Sequence, residues 1–180
     1  MIKPLPLIYA PNEIFKKKAQ IIDAVDDNIR LLVDRMIKTL EVERAVGLGA
    51  NMVGILKRIV VIDLYEDRVS NPMVFINPEI VFKSVETQTF DEASVCFPGI
   101  SAEISRPKEI RVKYLDYQGQ EKELTATGFL ACVLQHEIDY LDGKVFLDHL
   151  SKMKSDILLK KMQKHIKLHP PHVHGPSCRH

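Results

Sequence analysis

The stretch LQHEIDYLDG, Leu134 to Gly143, sets a histidine and a glutamate side by side. Such a pair opens the pattern H-E-x-x-H, in which two histidines one helical turn apart grip a metal while the glutamate handles protons. Four residues after His136, where the second histidine of that pattern would stand, the chain has Tyr140. By itself the pair leaves three readings open: a metalloenzyme with an unusual ligand, a site that has lost its metal, or a His-Glu pair on an ordinary helix. A lone pair of this kind is usually just a helix.

Two other segments change the weight of that pair. AVGLGANMVG (45–54) is a run of small residues where a backbone can pack or approach a ligand closely. No strand, glycine-rich loop and helix follow one another in the dinucleotide-binding order, so a phosphate cradle is not expected there. EASVCFPG (92–99) brings a hydroxyl and a thiol close to a Pro-Gly turn.

In this order the three segments resemble the motifs of peptide deformylases, which carry G-x-G-x-A-A-x-Q, then E-G-C-L-S followed by Pro-Gly, then Q-H-E-x-D-H-L. INPEI (76–80), RP (106–107), the strand ending YLD and DHLS (148–151) are similar to deformylase text as well, so the likeness spans residues 4–152. The resemblance implies an α+β fold with small antiparallel sheets around a central helix that carries the His-Glu motif, plus N-terminal and C-terminal helices. The activity implied is removal of the formyl group from the N-terminal methionine of nascent polypeptides. It would use iron or zinc held by one cysteine and two histidines, with the glutamate shuttling the proton of a metal-bound water. A glutamine side chain and a backbone N–H just after the ligand cysteine would meet the oxyanion.

Position by position, this chain departs from that pattern. Ser94 stands at the ligand cysteine, Tyr140 at the second histidine and Met52 at the oxyanion glutamine, with Ala45 and Gly49 also off-pattern. Of the five chemically active side chains only His136 and Glu137 remain; the Val95 backbone N–H keeps its place. A serine hydroxyl is neutral and a poor ligand where a thiolate is soft and charged. Tyr140 would ligate only as a phenolate, its pKa of about 10 lowered by the metal. A methionine thioether cannot donate, which removes an oxyanion partner worth roughly 3–4 kcal/mol. Cys96 is a conceivable substitute for Ser94. On an extended strand the two would share a face, yet lie about 6.5 Å apart along it. The plainer reading makes Cys96 a small buried hydrophobe. Val46, Gly47 and the Val95 backbone would belong to the peptide groove, and Cys132 and Val133 would line the methionine pocket or simply belong to the core.

Three functions therefore stand side by side. The leading one is a deformylase-like protein, catalytically impaired or inactive, that keeps a groove for N-terminal peptides such as formyl-Met peptides and needs no bound cofactor. The second is an active hydrolase with a non-standard iron or zinc centre built from His136, Tyr140 or Cys96, with Glu137. The third is a ribosome or nascent-chain binder using the basic face of residues 152–167.

The elements that must position these groups follow from periodicity. Ile29, Leu32, Val33, Met36 and Leu40 recur at helical spacing, which predicts an amphipathic helix over 26–43. RIVVIDL (58–64), MVFINPEIVF, EIRVKYLDY and QEKELTA are short and rich in β-branched residues, hence strands, with a hairpin at YQGQ (117–120). Helices are expected over 127–141, stopped by Gly143, and over 155–166. Residues 1–24, broken by three prolines, should be irregular or short-stranded. One domain over 1–168 and a disordered tail over 169–180 are expected. The tail carries His169, His172, His174, Cys178 and His180, a weak transition-metal signal in sequence.

The whole chain has 180 residues, 46% hydrophobic and 27% charged, with a net charge of +1. That composition suits a globular fold with a proper core and provides no field to attract DNA or an anionic membrane. No apolar run is long enough to span a bilayer, and the prolines at 4 and 6 argue against an export signal. Three cysteines without a C-x-x-C pair fit a reducing cytoplasm.

Overall fold

The computed structural model describes residues 2–65 and 69–170. Three α-helices and seven strands make up its regular structure: α1 (Asp27–Glu43), β1 (Gly47–Gly49), β2 (Ile59–Ile62), β3 (Met73–Lys83), β4 (Thr87–Ala93), β5 (Ser101–Pro107), β6 (Glu109–Leu115), β7 (Glu121–Thr127), α2 (Gly128–Leu141) and α3 (Lys152–Leu168). Five strands form one antiparallel sheet in the order β1-β2-β3-β6-β7, while β4 and β5 pair as a separate two-stranded sheet. The α+β class and the antiparallel sheets are as expected.

α1 begins where Asp26 accepts from the Ile29 N–H and satisfies an orphan donor of the first turn. Ile29, Val33, Met36 and Leu40 are buried along one face, as their spacing predicts; Leu32 is only half-buried at its edge. Thr39 on the same face accepts from the Leu5 N–H and donates to the Leu5 carbonyl, which ties the N-terminal segment to the helix. Among its described residues that segment contains no strand, only a short 3-10 turn at Glu13–Lys16 and an isolated bridge from Gln20 to Lys57. Asn77, at φ +52, clamps it from the other side through paired bonds with the Ile22 backbone.

Three strands were not foreseen. β1 is only three residues of glycine and leucine, too short to show a period. β4 and β5 are largely polar, because their outer faces are exposed, and polar alternation is a weak strand signal. Segment 94–99 is a turn rather than an extended strand, with the Phe97 N–H donating to the Ser94 carbonyl. The shared-face geometry considered for Ser94 and Cys96 therefore does not arise. α3 starts three residues earlier than expected, capped by Ser151, and runs two residues further. Met162 is its wholly buried contact.

α2 sits at the centre. Ten of its fourteen residues are buried, and it lies against β1, β2 and β7. Gly143 follows its end at φ +75, a conformation that a side chain would strain. Among the described residues no helix is long and apolar enough to cross a membrane. Of the expected tail, residues 171–180 lie outside the described residues.

Candidate active site

A cleft of about 380 Å³ opens between α2, β1, the loop leading into β1 and the end of β4. Val46, Gly47, Met52, Ser94, Val95, Cys132, Val133, His136 and Glu137 all line it, so of the ten residues that the resemblance assigns to site positions nine converge on one space. Tyr140 does not line it; its ring is wholly buried one turn further along α2. Cys96 is also fully buried and belongs to the core. Arg44, exposed and in the left-handed conformation that ends α1, lies at the mouth, and Phe90 and Phe129 form an aromatic wall with centroids 5.7 Å apart.

Gly47 faces α2 so closely that a Cβ there would stand 2.7 Å from Glu137 Oε1. The bare backbone of β1 is therefore what leaves room for the Glu137 side chain. Glu137 Oε2 is buried without a hydrogen-bond partner among the described residues. Burial pushes its carboxyl up to about 7, against a smaller opposing effect from His136. The Gly49 N–H, which donates to Met52 Sδ at 3.2 Å, also faces that carboxyl. That donor lowers the carboxyl as His136 does, but burial is the larger effect and the net shift is upward.

His136 is held from three sides. Its Nδ1 pairs with Glu92 Oε2 at 2.7 Å, its ring stacks on Phe146 at 5.9 Å, and it meets the Tyr140 ring at 5.4 Å. Because Glu92 is an ionised acceptor, Nδ1 is the donor in this pair, and Nε2 is the ring nitrogen it leaves uncommitted. Glu92 in turn receives Arg106 Nε at 2.5 Å and Nη2 at 2.9 Å, a bidentate pair in which both side chains are buried. Burial alone would raise the Glu92 carboxyl, but hydrogen bonds from His136 and Arg106 outweigh it and bring it down to about 2. Arg106 Nη1 reaches Asp139 Oδ2 at 2.8 Å, which also meets His149 Nε2 at 2.7 Å. Cys132 points its Sγ at Glu92 Oε1, 3.4 Å away, and burial beside that carboxylate pushes the thiol up to about 12.

This Glu92–Arg106–Asp139–His149 network was missed in sequence, although each residue falls in a segment quoted for the resemblance or in α2. The available signal was strand alternation, which sets Phe90 and Glu92 on one face of β4.

Tyr140 donates from its hydroxyl to Ser94 Oγ at 2.8 Å. Ser94 Oγ also accepts from the Cys96 N–H at 3.3 Å. The Tyr140 ring packs edge-on against Phe15 and Phe97, and burial holds its phenol well above the ordinary value. Asn51 Nδ2 donates to the Tyr140 carbonyl at 2.6 Å, binding the 3-10 turn after β1 to α2.

A buried helix that turns a His-Glu pair toward a cleft, between a glycine-edged antiparallel sheet and a separate hairpin, defines a small α+β hydrolase frame. The polypeptide deformylase family model matches residues 4–156, and the chain belongs to the peptide deformylase family. A peptide deformylase-like protein of Rickettsia conorii is 67% identical over 174 residues, covering 97% of this chain and 95% of its own. A peptide deformylase of Rickettsia canadensis is 43% identical over 166 residues, covering 89% and 95%. Among solved structures, peptide deformylase from Ehrlichia chaffeensis in complex with actinonin superposes with a TM-score of 0.86 at 39% identity, covering 91% of this chain and 98% of that one.

Proposed function

We propose that this protein keeps the deformylase cleft as a groove for N-terminal peptides, formyl-Met peptides included, but lacks ordinary metal-dependent deformylase activity. One observation carries this reading: the Tyr140 hydroxyl and Ser94 Oγ, at the positions of two family ligands, bond to each other. The donor set that results does not fit an iron or zinc ion. It offers one imidazole nitrogen and two neutral hydroxyls, one of them a phenol whose ionisation burial opposes. No resident cofactor is therefore proposed at the cleft.

Within the groove, His136, held by Glu92, would accept through Nε2, and Glu137 would offer its unpartnered oxygen to a ligand N–H or O–H. The Val95 backbone N–H, Val46 and Gly47 would contact the peptide main chain. Cys132 and Val133 would face its first side chain. Met52 would leave the old oxyanion position without a side-chain donor. The setting we propose is the cytoplasm, in keeping with the free thiols of Cys96 and Cys132.

Metal analysis and formyl-Met-peptide hydrolysis test the proposal on the intact protein beside a Ser94→Cys/Tyr140→His/Met52→Gln variant. The expected result is formate release only from the triple variant, with peptide binding to both. Stoichiometric metal together with Glu137-dependent turnover in the unaltered chain would sink it, in favour of an active non-standard centre.

A second reading rests on α3, whose Lys160, Lys161 and Lys164 are all exposed. That basic face would contact the ribosome. Salt-sensitive co-sedimentation lost on neutralising the three lysines is its signature, and no pelleting at low salt rejects it.

A further inference from the structure

We propose that His165 and His169, at the C-terminal end of α3, form a two-point clip for a late first-row transition metal such as Zn²⁺, Cu²⁺ or Ni²⁺. The inference is independent of the cleft and of the function proposed for it. His165 lies in the last turn of α3 and His169 follows its final residue, so the two are about one turn apart. Two histidines at that spacing are the metal-gripping pair that α2, with His136 and Tyr140, does not have. Here the pair is intact, with imidazole rings stacked at a centroid distance of 4.9 Å and an interplanar angle of 29°. Stacked rings do not aim their in-plane lone pairs at one point, so His169 must turn to bring a nitrogen toward an ion bound beside His165.

The two rings have complementary settings. His165 is half-buried and seated against Gly99, whose φ is +77; a Cβ on Gly99 would overlap the His165 ring. The turn after β4 thus forms a notch that holds this ligand, which reduces the ordering cost of binding. His169 is exposed and follows the last helical residue, its N–H donating to the His165 carbonyl. The negative end of the α3 dipole favours a cation there. Lys161, Lys164 and Lys167 oppose it, so the bond must come from coordination rather than from a general field. Imidazole donors select zinc, copper or nickel over magnesium and calcium, which prefer oxygen.

The test uses the full chain without an added affinity tag. Zn²⁺ is titrated in competition with a chromogenic chelator, and Cu²⁺ is added for electron paramagnetic resonance to count nitrogen ligands. His165→Ala/His169→Ala should weaken Zn²⁺ at least about tenfold, the scale on which metal sites respond even to loss of a supporting partner. His169→Ala alone, at an exposed position beyond the helix, should remove one nitrogen without disturbing the core. A chain ending at Pro170 should retain a two-nitrogen Cu²⁺ signal. A double variant that titrates like its parent, a truncated chain that binds nothing, or loss of binding in His136→Ala would each overturn the proposal.

Discussion

Ser94 Oγ and the Tyr140 hydroxyl meet at 2.8 Å, although 46 residues separate them in the chain. Their bond joins the turn after β4 to the C-terminal end of α2, with Phe15 and Phe97 packed around the tyrosine ring. Two positions that the resemblance assigns to metal ligands are thus joined by a hydrogen bond. Tyr140→Phe should cost about 1 kcal/mol, the usual worth of one such bond, because Ser94 Oγ still has the Cys96 N–H. Tyr140→Ala should cost roughly 3–5 kcal/mol through the cavity it opens. Chemical denaturation measures both, and equal losses would show that the hydroxyl, not the ring, holds this contact.

Glu137 makes stability depend on pH in the opposite sense from an ordinary carboxylate. Its folded-state pKa of about 7 lies above the 4.5 of an unperturbed glutamate, so between those values the folded chain holds a proton that the unfolded chain has released. Stability should therefore fall as pH rises from 4.5 to 7, by up to about 3 kcal/mol, and level off above. Glu137→Gln, which mimics the protonated form, should match the parent near pH 4.5 and exceed it at pH 8. Urea midpoints at the two pH values check this, and a variant less stable than the parent at pH 8 would contradict it.

Arg106 balances two buried or half-buried carboxylates at once. Arg106→Ala should destabilise by about 3–5 kcal/mol, since it strands Glu92 and Asp139 rather than removing a complete pair. Arg106→Lys should fail to rescue, because an ammonium cannot reproduce the bidentate fork. Glu92, lowered to about 2, adds stability that is complete above pH 4.5 and lost as pH falls toward 2. Acid unfolding of the unaltered protein should be steep in that window and shallower in Arg106→Ala.

Gly47→Ala tests how tightly β1 and α2 are fitted. The added methyl must displace Glu137, whose Oε1, Cγ and Cδ lie 2.7–3.0 Å from its position. A loss of about 1–3 kcal/mol is expected, together with weaker peptide binding in the cleft. Unchanged stability would mean that Glu137 has room to move.

Much of the frame was legible because local rules apply to it. The apolar period of α1, the β-branched runs of β2 and β3, and Gly143 after α2 report themselves in short windows. β1, β4 and β5 did not, since a three-residue glycine edge and two polar strands take their form from partners distant in sequence. Residues 94–99 look strand-like in sequence yet turn, because they end in Pro98-Gly99 and Gly99 must accommodate His165.

By itself the sequence determined which donor atoms the site has: serine, tyrosine and methionine where the deformylase pattern has cysteine, histidine and glutamine. Atom types are written residue by residue, so no folding is needed to read them. Only the tertiary structure decided what those atoms do to one another. It pairs Tyr140 with Ser94, runs hydrogen bonds from His136 through Glu92 and Arg106 to Asp139, and presses Gly47 on Glu137. Each of these joins residues from different elements, and such contacts depend on how helices and sheets pack, a long-range outcome that no local window contains.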